Sequence, residues 1–132
     1  MNMRFPVLGM KDGDSRFYAI EKKDFGFVSK GHGKFYNGLK LIDSEGDFYR
    51  VTSWSVKGKS GILKSILNLQ VLEELNVNLE LLGKRSLSEL KEDVFGHIQK
   101  HPKTFAPLYD GSPWSERIKK FDSFEGLIRF FK

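Results

Sequence analysis

The chain has 132 residues and a formal net charge of +5, and its length suits one domain, residues 1–132, with a single core. It contains no cysteine, which excludes a disulfide framework and a thiolate metal site. The excess of Lys and Arg is spread over both ends, which favours acidic partners but is not by itself a nucleic-acid signature. No apolar run is long enough for a signal peptide or a membrane span, so we expect a cytoplasmic protein without membrane contacts.

Strands are expected through most of the first half, because aromatic residues are concentrated there and suit half-buried, pleated surfaces. Residues 4–9, 16–21 and 25–29 are predicted as short strands. The first of these is expected at a sheet edge, because Pro6 has no N–H to donate to a ladder.

The stretch over residues 35–56 is predicted as a hairpin. Its turn is Asp43-Ser44-Glu45-Gly46, with Asp first and Gly last, as a type I turn prefers. Strict alternation would place Phe48, Thr52, Trp54 and Val56 on one face of the second strand and Tyr49, Val51 and Ser53 on the other. Trp54 is assigned to the core.

The second half is predicted to be mainly helical after one more strand. Val77, Leu79 and Leu81 alternate with polar residues and predict a strand with one solvated face. Ser86-Leu87-Ser88-Glu89 has the pattern of a capping box that opens a helix ending before Pro102. Short helices are also predicted after Ser60 and over residues 114–121 and 124–131. The fold class is therefore α+β, an antiparallel sheet from the N-terminal half packed with two to four helices mainly from the C-terminal half.

Two patterns resemble catalytic or metal sites but lack a required part. Lys57-Gly58-Lys59-Ser60 resembles the end of a phosphate-binding loop, yet Ser53 stands where the motif needs glycine. Asp93, His97 and His101 are spaced to share a helix face, as in a metal-dependent hydrolase, but no Glu follows the first His. We interpret these as a turn and a helix face, and expect a protein with no metal, no cofactor and no catalytic residues.

A basic and aromatic strand gives one resemblance to nucleic-acid-binding domains. Lys23-Asp24-Phe25-Gly26-Phe27-Val28 resembles the RNA-binding signature of RRM domains, with Asp24 in place of Gly, and residues 16–37 resemble two strands of cold-shock domains. The resemblance implies that Phe17, Phe25 and Phe27 stack on bases of a single strand while Lys23 contacts its backbone.

The whole chain resembles another class of protein. Hairpin segments such as residues 38–51, then helices, then a final helix over residues 122–128, are similar in style to immunity proteins of bacterial polymorphic-toxin and contact-dependent inhibition systems. The resemblance implies a cytosolic, non-enzymatic protein that binds a cognate toxin, usually a nuclease, and plugs its active site.

Toxin inhibition is our primary functional hypothesis, and single-stranded nucleic-acid binding is the alternative. A hydrolase built around His97 and His101 is a third hypothesis, ranked below these two. The predicted toxin contacts are basic and aromatic residues: Lys22, Lys23, Lys30, His32, Lys34, Tyr36 and Trp114. A local acidic patch of Glu73, Glu74 and Glu80 is a second candidate surface, because many nuclease inhibitors are acidic.

Overall fold

The computed structural model describes residues 2–57, 72–105 and 113–132. Within these ranges the chain forms six strands and three α-helices: β1 (Val7–Lys11), β2 (Tyr18–Ile20), β3 (Phe27–Ser29), β4 (Leu39–Ile42), β5 (Asp47–Val56), β6 (Leu72–Lys84), α1 (Leu87–Lys100), α2 (Trp114–Lys119) and α3 (Phe124–Arg129). The predicted α+β fold class is confirmed. The helix predicted after Ser60, and Gly58-Lys59-Ser60 of the loop before it, lie outside the described residues.

All neighbouring strands of the sheet are antiparallel, in the order β2-β1-β4-β5-β6-β3. The prediction of an edge strand over residues 4–9 is wrong, because β1 lies between β2 and β4, and Val7, Leu8 and Gly9 are all buried. Pro6 precedes the first residue of β1, so its missing N–H does not interrupt the ladder.

The predicted hairpin turn is confirmed, although its first strand is shorter than expected. Asp43 N–H donates to the Asp47 carbonyl at 3.0 Å, and Gly46 N–H donates to the Asp43 carbonyl at 3.1 Å. Gly46 has a φ of +90°, in the left-handed region that glycine tolerates. Phe35 and Tyr36 lie in a short 3-10 helix (Gly33–Tyr36), so β4 begins only at Leu39.

Two irregularities between β5 and β6 curl the sheet. Thr52 is an extra residue between the pairs Val51–Leu79 and Ser53–Asn78, and Leu82 is an extra residue on β6. Such bulges increase the local twist and shift the alternation of side chains. Trp54 therefore shares a face with Val51, which corrects the strict alternation expected from the sequence.

The sheet separates two hydrophobic cores. The strand-side core is enclosed by the curled strands, and its buried residues are Val7, Ile20, Tyr36, Leu39, Leu41, Tyr49, Val51 and Leu75. The helix-side core lies beneath the three helices, and its buried residues are Leu8, Phe17, Ile42, Leu90, Val94, Ile98, Ile118, Leu127 and Ile128. Trp54, assigned to the core from the sequence, is half-buried at the margin of the strand-side core.

Helix α1 forms as its sequence predicts. Ser86 Oγ accepts the Glu89 N–H at 3.1 Å, and Glu89 Oε1 accepts the Ser86 N–H at 3.0 Å, which completes the capping box. Leu90, Val94 and Ile98 form its buried stripe. No helix in the described ranges is both long and apolar enough to cross a membrane.

Gly46 joins the β4–β5 turn to the helical layer. Its carbonyl accepts the Arg85 N–H at 2.8 Å, where β6 passes into α1. A Cβ atom at position 46 would overlap the Arg85 carbonyl oxygen and would lie 2.9 Å from Cζ of Phe124 in α3. The close approach of the two backbones therefore requires glycine.

Asp14 organises the turn before β2. Its carboxylate accepts the Arg16 N–H at 3.0 Å, the Arg16 Nε–H at 3.3 Å and the Tyr18 hydroxyl. These bonds, led by the one from Tyr18, lower the pKa of Asp14 from 3.8 to about 2.

We expect Gly46→Ala to lower the free energy of unfolding by about 3 kcal/mol, because it adds a backbone clash to the strain of a left-handed φ. Urea denaturation measures the change. Gly13→Ala is the matched control, because Gly13 has a φ of +82° but open space around a Cβ, and it should cost only about 1 kcal/mol. Equal losses in the two variants would contradict the close approach at Gly46.

We expect Tyr18→Phe to raise the pKa of Asp14 from about 2 towards 3.8, because it removes the strongest bond to the carboxylate. Since the folded-state pKa is depressed, the stabilisation is fully present above about pH 4 and is lost as pH falls through about 2. The contribution of the Asp14 hydrogen bonds to the free energy of unfolding should stay below about 1 kcal/mol, because the site is partly exposed. NMR titration of Asp14 in the two proteins checks this, and an unchanged pKa would contradict it.

Candidate functional site: a basic groove

The N-terminal segment, residues 2–5, is held against the β4–β5 turn by a buried carboxylate. Asp43 is 0% exposed, and it accepts three backbone N–H bonds, from Arg4 at 3.1 Å and from Glu45 and Asp47 at 2.9 Å. Ser44 N–H also donates to the Arg4 carbonyl at 2.9 Å. These backbone hydrogen bonds fix the main chain of the segment, and the packing of Met3 and Phe5 against the strand-side core adds to them.

A groove opens between this segment, the turn after β2, and β6. It consists of two adjoining depressions of about 740 and 630 Å³ that share Met3, Arg4, Phe5 and Lys22. We call it the basic groove, and its remaining lining residues are Asn2, Glu21, Lys23, Phe25, Val77, Asn78, Leu79, Arg129 and Lys132.

Positive charge predominates in the basic groove, where five Lys and Arg side chains stand against the single carboxylate of Glu21. That carboxylate is already bound by Arg129 at 2.9 Å, which lowers the pKa of Glu21. Lys22 and Lys23 are exposed and form no ion pair within the described part of the chain. Lys23 also lies close enough to Glu21 to help lower its pKa, but neither lysine is held in an ion pair among the described residues, so both side chains are available to a ligand.

The wall between the groove and the strand-side core is aromatic. The rings of Phe5 and Phe25 lie 5.6 Å apart, and Phe25 meets Tyr36 edge-on, also at 5.6 Å. The Tyr36 hydroxyl accepts the Gly26 N–H at 2.7 Å, and burial raises the pKa of Tyr36. This packing anchors Phe25 and Gly26 at the end of the turn that carries Lys22 and Lys23.

The residues predicted as toxin contacts do not form one surface. Lys22 and Lys23 line the basic groove, whereas Lys30, His32 and Lys34 are exposed in and before the 3-10 helix. That second group lies near Trp54, because a Cβ added at Gly33 would overlap the Trp54 ring.

Among the predicted contact residues, Tyr36 requires correction, and Trp114 lies apart from the basic groove. Tyr36 is only 2% exposed, inside the strand-side core, so it supports the surface from below. Trp114 is half-buried on the other side of the sheet, where its ring packs against Phe105, Phe130 and Phe131. The sequence does not distinguish these roles, because an aromatic ring suits a core and an interface equally well.

The three phenylalanines predicted to stack on bases are also separated. Phe17 is 9% exposed in the helix-side core, while Phe25 packs against the strand-side core. Phe27 is half-buried in β3 and belongs to neither core. Gly26, with a φ of +84°, turns the chain between the last two, so they do not share a strand face. The predicted stacking platform of Phe17, Phe25 and Phe27 is therefore absent.

The histidine cluster and the acidic patch serve internal contacts. Arg85 binds Asp93 at 2.7 Å, and His97 Nε2 lies 2.7 Å from the Ser15 carbonyl oxygen, with the His97 and His101 rings 4.5 Å apart. Among the described residues, no group of three His, Asp or Glu side chains is placed to hold a metal ion.

The predicted acidic patch is similarly engaged. Glu73 accepts the Gly31 N–H, Glu74 pairs with Lys57, and Glu80 pairs with Arg50.

Sequence reasoning missed Arg4, Phe5, Arg129 and Lys132 as groove residues. They stand at opposite ends of the chain, and no local pattern signals that the ends meet. The only hint in the sequence is that the excess of positive charge lies at both ends.

We expect Asp43→Asn to lower the free energy of unfolding by about 2 kcal/mol, because the amide retains one acceptor oxygen but turns an N–H group towards a backbone donor. Amide exchange at Arg4 should also accelerate, as the groove wall loosens. Asp12→Asn is the control at a side chain that is 93% exposed. Unchanged exchange at Arg4 would show that Asp43 does not hold the segment.

No protein-family model matches this chain. Searches of curated proteins and of solved structures likewise found no significant match. The resemblances to immunity proteins and to cold-shock and RRM strands stay predictions, so function must be inferred from the basic groove itself.

Proposed function

We propose that this protein is a non-enzymatic, cytoplasmic inhibitor that binds a cognate bacterial toxin through the basic groove. The observation that supports the proposal is that two exposed lysines, without an ion-pair partner among the described residues, lie beside a packed aromatic wall. Interfaces commonly combine a fixed aromatic anchor with a polar or charged rim. The packing of these rings favours binding, because a surface already ordered before binding loses little entropy in the complex.

The positive charge of the groove determines which kind of partner surface it can bind. A basic groove attracts an acidic surface, and a nuclease active site that holds metal ions on carboxylates presents one. The inhibitor would then cover those carboxylates with Lys22 and Lys23. An acidic inhibitor works in the opposite way, because its carboxylates imitate the phosphates of nucleic acid.

Single-stranded nucleic-acid binding is the second candidate, and the same lysines favour it because phosphates are also anionic. The separation of Phe17, Phe25 and Phe27 counts against it, since such proteins combine charge with aromatic faces for successive bases. We therefore rank protein binding first.

Co-expression with the protein encoded immediately upstream tests the inhibitor proposal. We expect that protein alone to arrest bacterial growth, the pair to restore growth, and the two to copurify. The double variant Lys22→Glu/Lys23→Glu should weaken the complex at least about tenfold, because it replaces attraction by repulsion at the groove.

Lys119→Glu/Lys120→Glu is the matched control, because it makes the same charge change at two exposed lysines on and after α2. Loss of rescue in both double variants would assign the effect to net charge rather than to the groove. Salt-dependent binding to oligonucleotides, together with no complex and no rescue, would replace the inhibitor proposal by the second candidate.

A further inference from the structure

Strand β6 has one edge that is only partly covered. It spans 13 residues and pairs with β5 from Leu75 to Lys84. On its other side β3 pairs only with Leu72, Glu73 and Glu74, and Leu75 N–H donates to the Gly26 carbonyl at 2.7 Å. Beyond that bond, no described strand pairs with β6 on the side facing away from β5. We call this side of residues 76–82 the open edge.

The open edge forms one wall of the basic groove. Val77, Asn78 and Leu79 face Phe5, Lys22 and Phe25 across the larger depression of about 740 Å³. The Gly26 turn directs the chain away from β6 at this point, and the space it leaves is the groove. Strand backbone without a partner strand among the described residues therefore adjoins a cavity that could accommodate a further chain.

Apart from the bulge at Leu82, at its C-terminal end, the open edge lacks the usual features that prevent strands from pairing. Natural edge strands are commonly protected by proline, by lysine or by an inward-pointing charge. Residues 76–82 include no proline and no lysine, and their one charge, Glu80, is paired with Arg50 across the sheet. Val77 and Leu79 are half-buried against the strand-side core, whereas Asn76 and Asn78 are exposed.

We propose that the open edge receives an extended, acidic segment of the partner protein as an additional strand. The proposal rests on the proposed function, because it specifies how the basic groove engages a protein. The apolar side chains of the segment would continue the row of Val77 and Leu79, while its carboxylates would face Lys22 and Lys23. Backbone hydrogen bonds supply affinity in such strand addition, and the alternating side chains supply specificity.

A second copy of this chain is a less suitable occupant. Two open edges brought together would also bring two basic grooves together, and like charges at close range oppose association. Charge complementarity therefore selects an acidic segment over self-association.

A synthetic peptide in which valine alternates with aspartate or glutamate is the first probe. We expect it to bind, and to slow amide exchange of residues in the open edge. The same peptide with alternate backbone nitrogens methylated keeps its charge but cannot donate along one edge, so it should bind about tenfold or more weakly. The double variant Lys22→Glu/Lys23→Glu should bind the unmodified peptide more weakly than the wild type does. The control Lys119→Glu/Lys120→Glu should bind it as tightly as the wild type.

Several results would overturn strand addition. If the methylated and unmodified peptides bind equally tightly, the groove is an electrostatic site and no strand is added. If neither peptide binds at millimolar concentration, an acidic strand is not the occupant of the open edge. Concentration-dependent dimerisation with protection of the same amides would assign the open edge to a second copy.

The complex from the co-expression experiment separates this proposal from the proposed function. If a complex forms while residues 76–82 exchange as in the free protein, the inhibitor function stands and strand addition fails. If the peptides bind as expected but no toxin is inhibited, strand addition at the open edge is supported and the inhibitor function is wrong.

Discussion

The buried carboxylate of Asp43 is the constraint on which the basic groove depends. A carboxylate removed from water is tolerated only where donors surround it, and here three backbone N–H groups do so. Two of these groups shape the β4–β5 turn, and the third belongs to Arg4, far away in sequence. One side chain thus closes a turn and fixes a wall of the groove, and it couples the stability of the fold to the shape of the site.

Local sequence patterns correctly predicted the elements that are determined by interactions between residues close together in the sequence. The turn from Asp43 to Gly46, the capping box at Ser86 and the apolar stripe of α1 each depend on residues within a few positions of one another. Hydrogen bonds of short reach determine such features, so the sequence alone is sufficient. The division into a strand-rich first half and a helical second half follows for the same reason.

The sheet could not be deduced in the same way, because its central strands β1 and β4 are buried on both faces. Alternation identifies a core face only when the other face is polar, and β1 buries both Val7 and Leu8. The bulge at Thr52 then reverses the pattern within β5, so that Trp54 changes faces. The groove was only half predictable, since Lys22 and Lys23 are visible as a basic pair while the approach of both chain ends to them is a tertiary event.

Because a single sheet separates the two cores, the unfolding of each core can be followed separately by tryptophan fluorescence. The protein's two tryptophans lie on opposite sides, with Trp54 packed against the strand-side core and Trp114 against the helix-side core. Indole emission depends on the immediate surroundings of each ring, so the protein carries a natural optical reporter for each core. Replacing either tryptophan by phenylalanine would leave a signal from one compartment alone, and would reveal whether the two halves melt together or in succession.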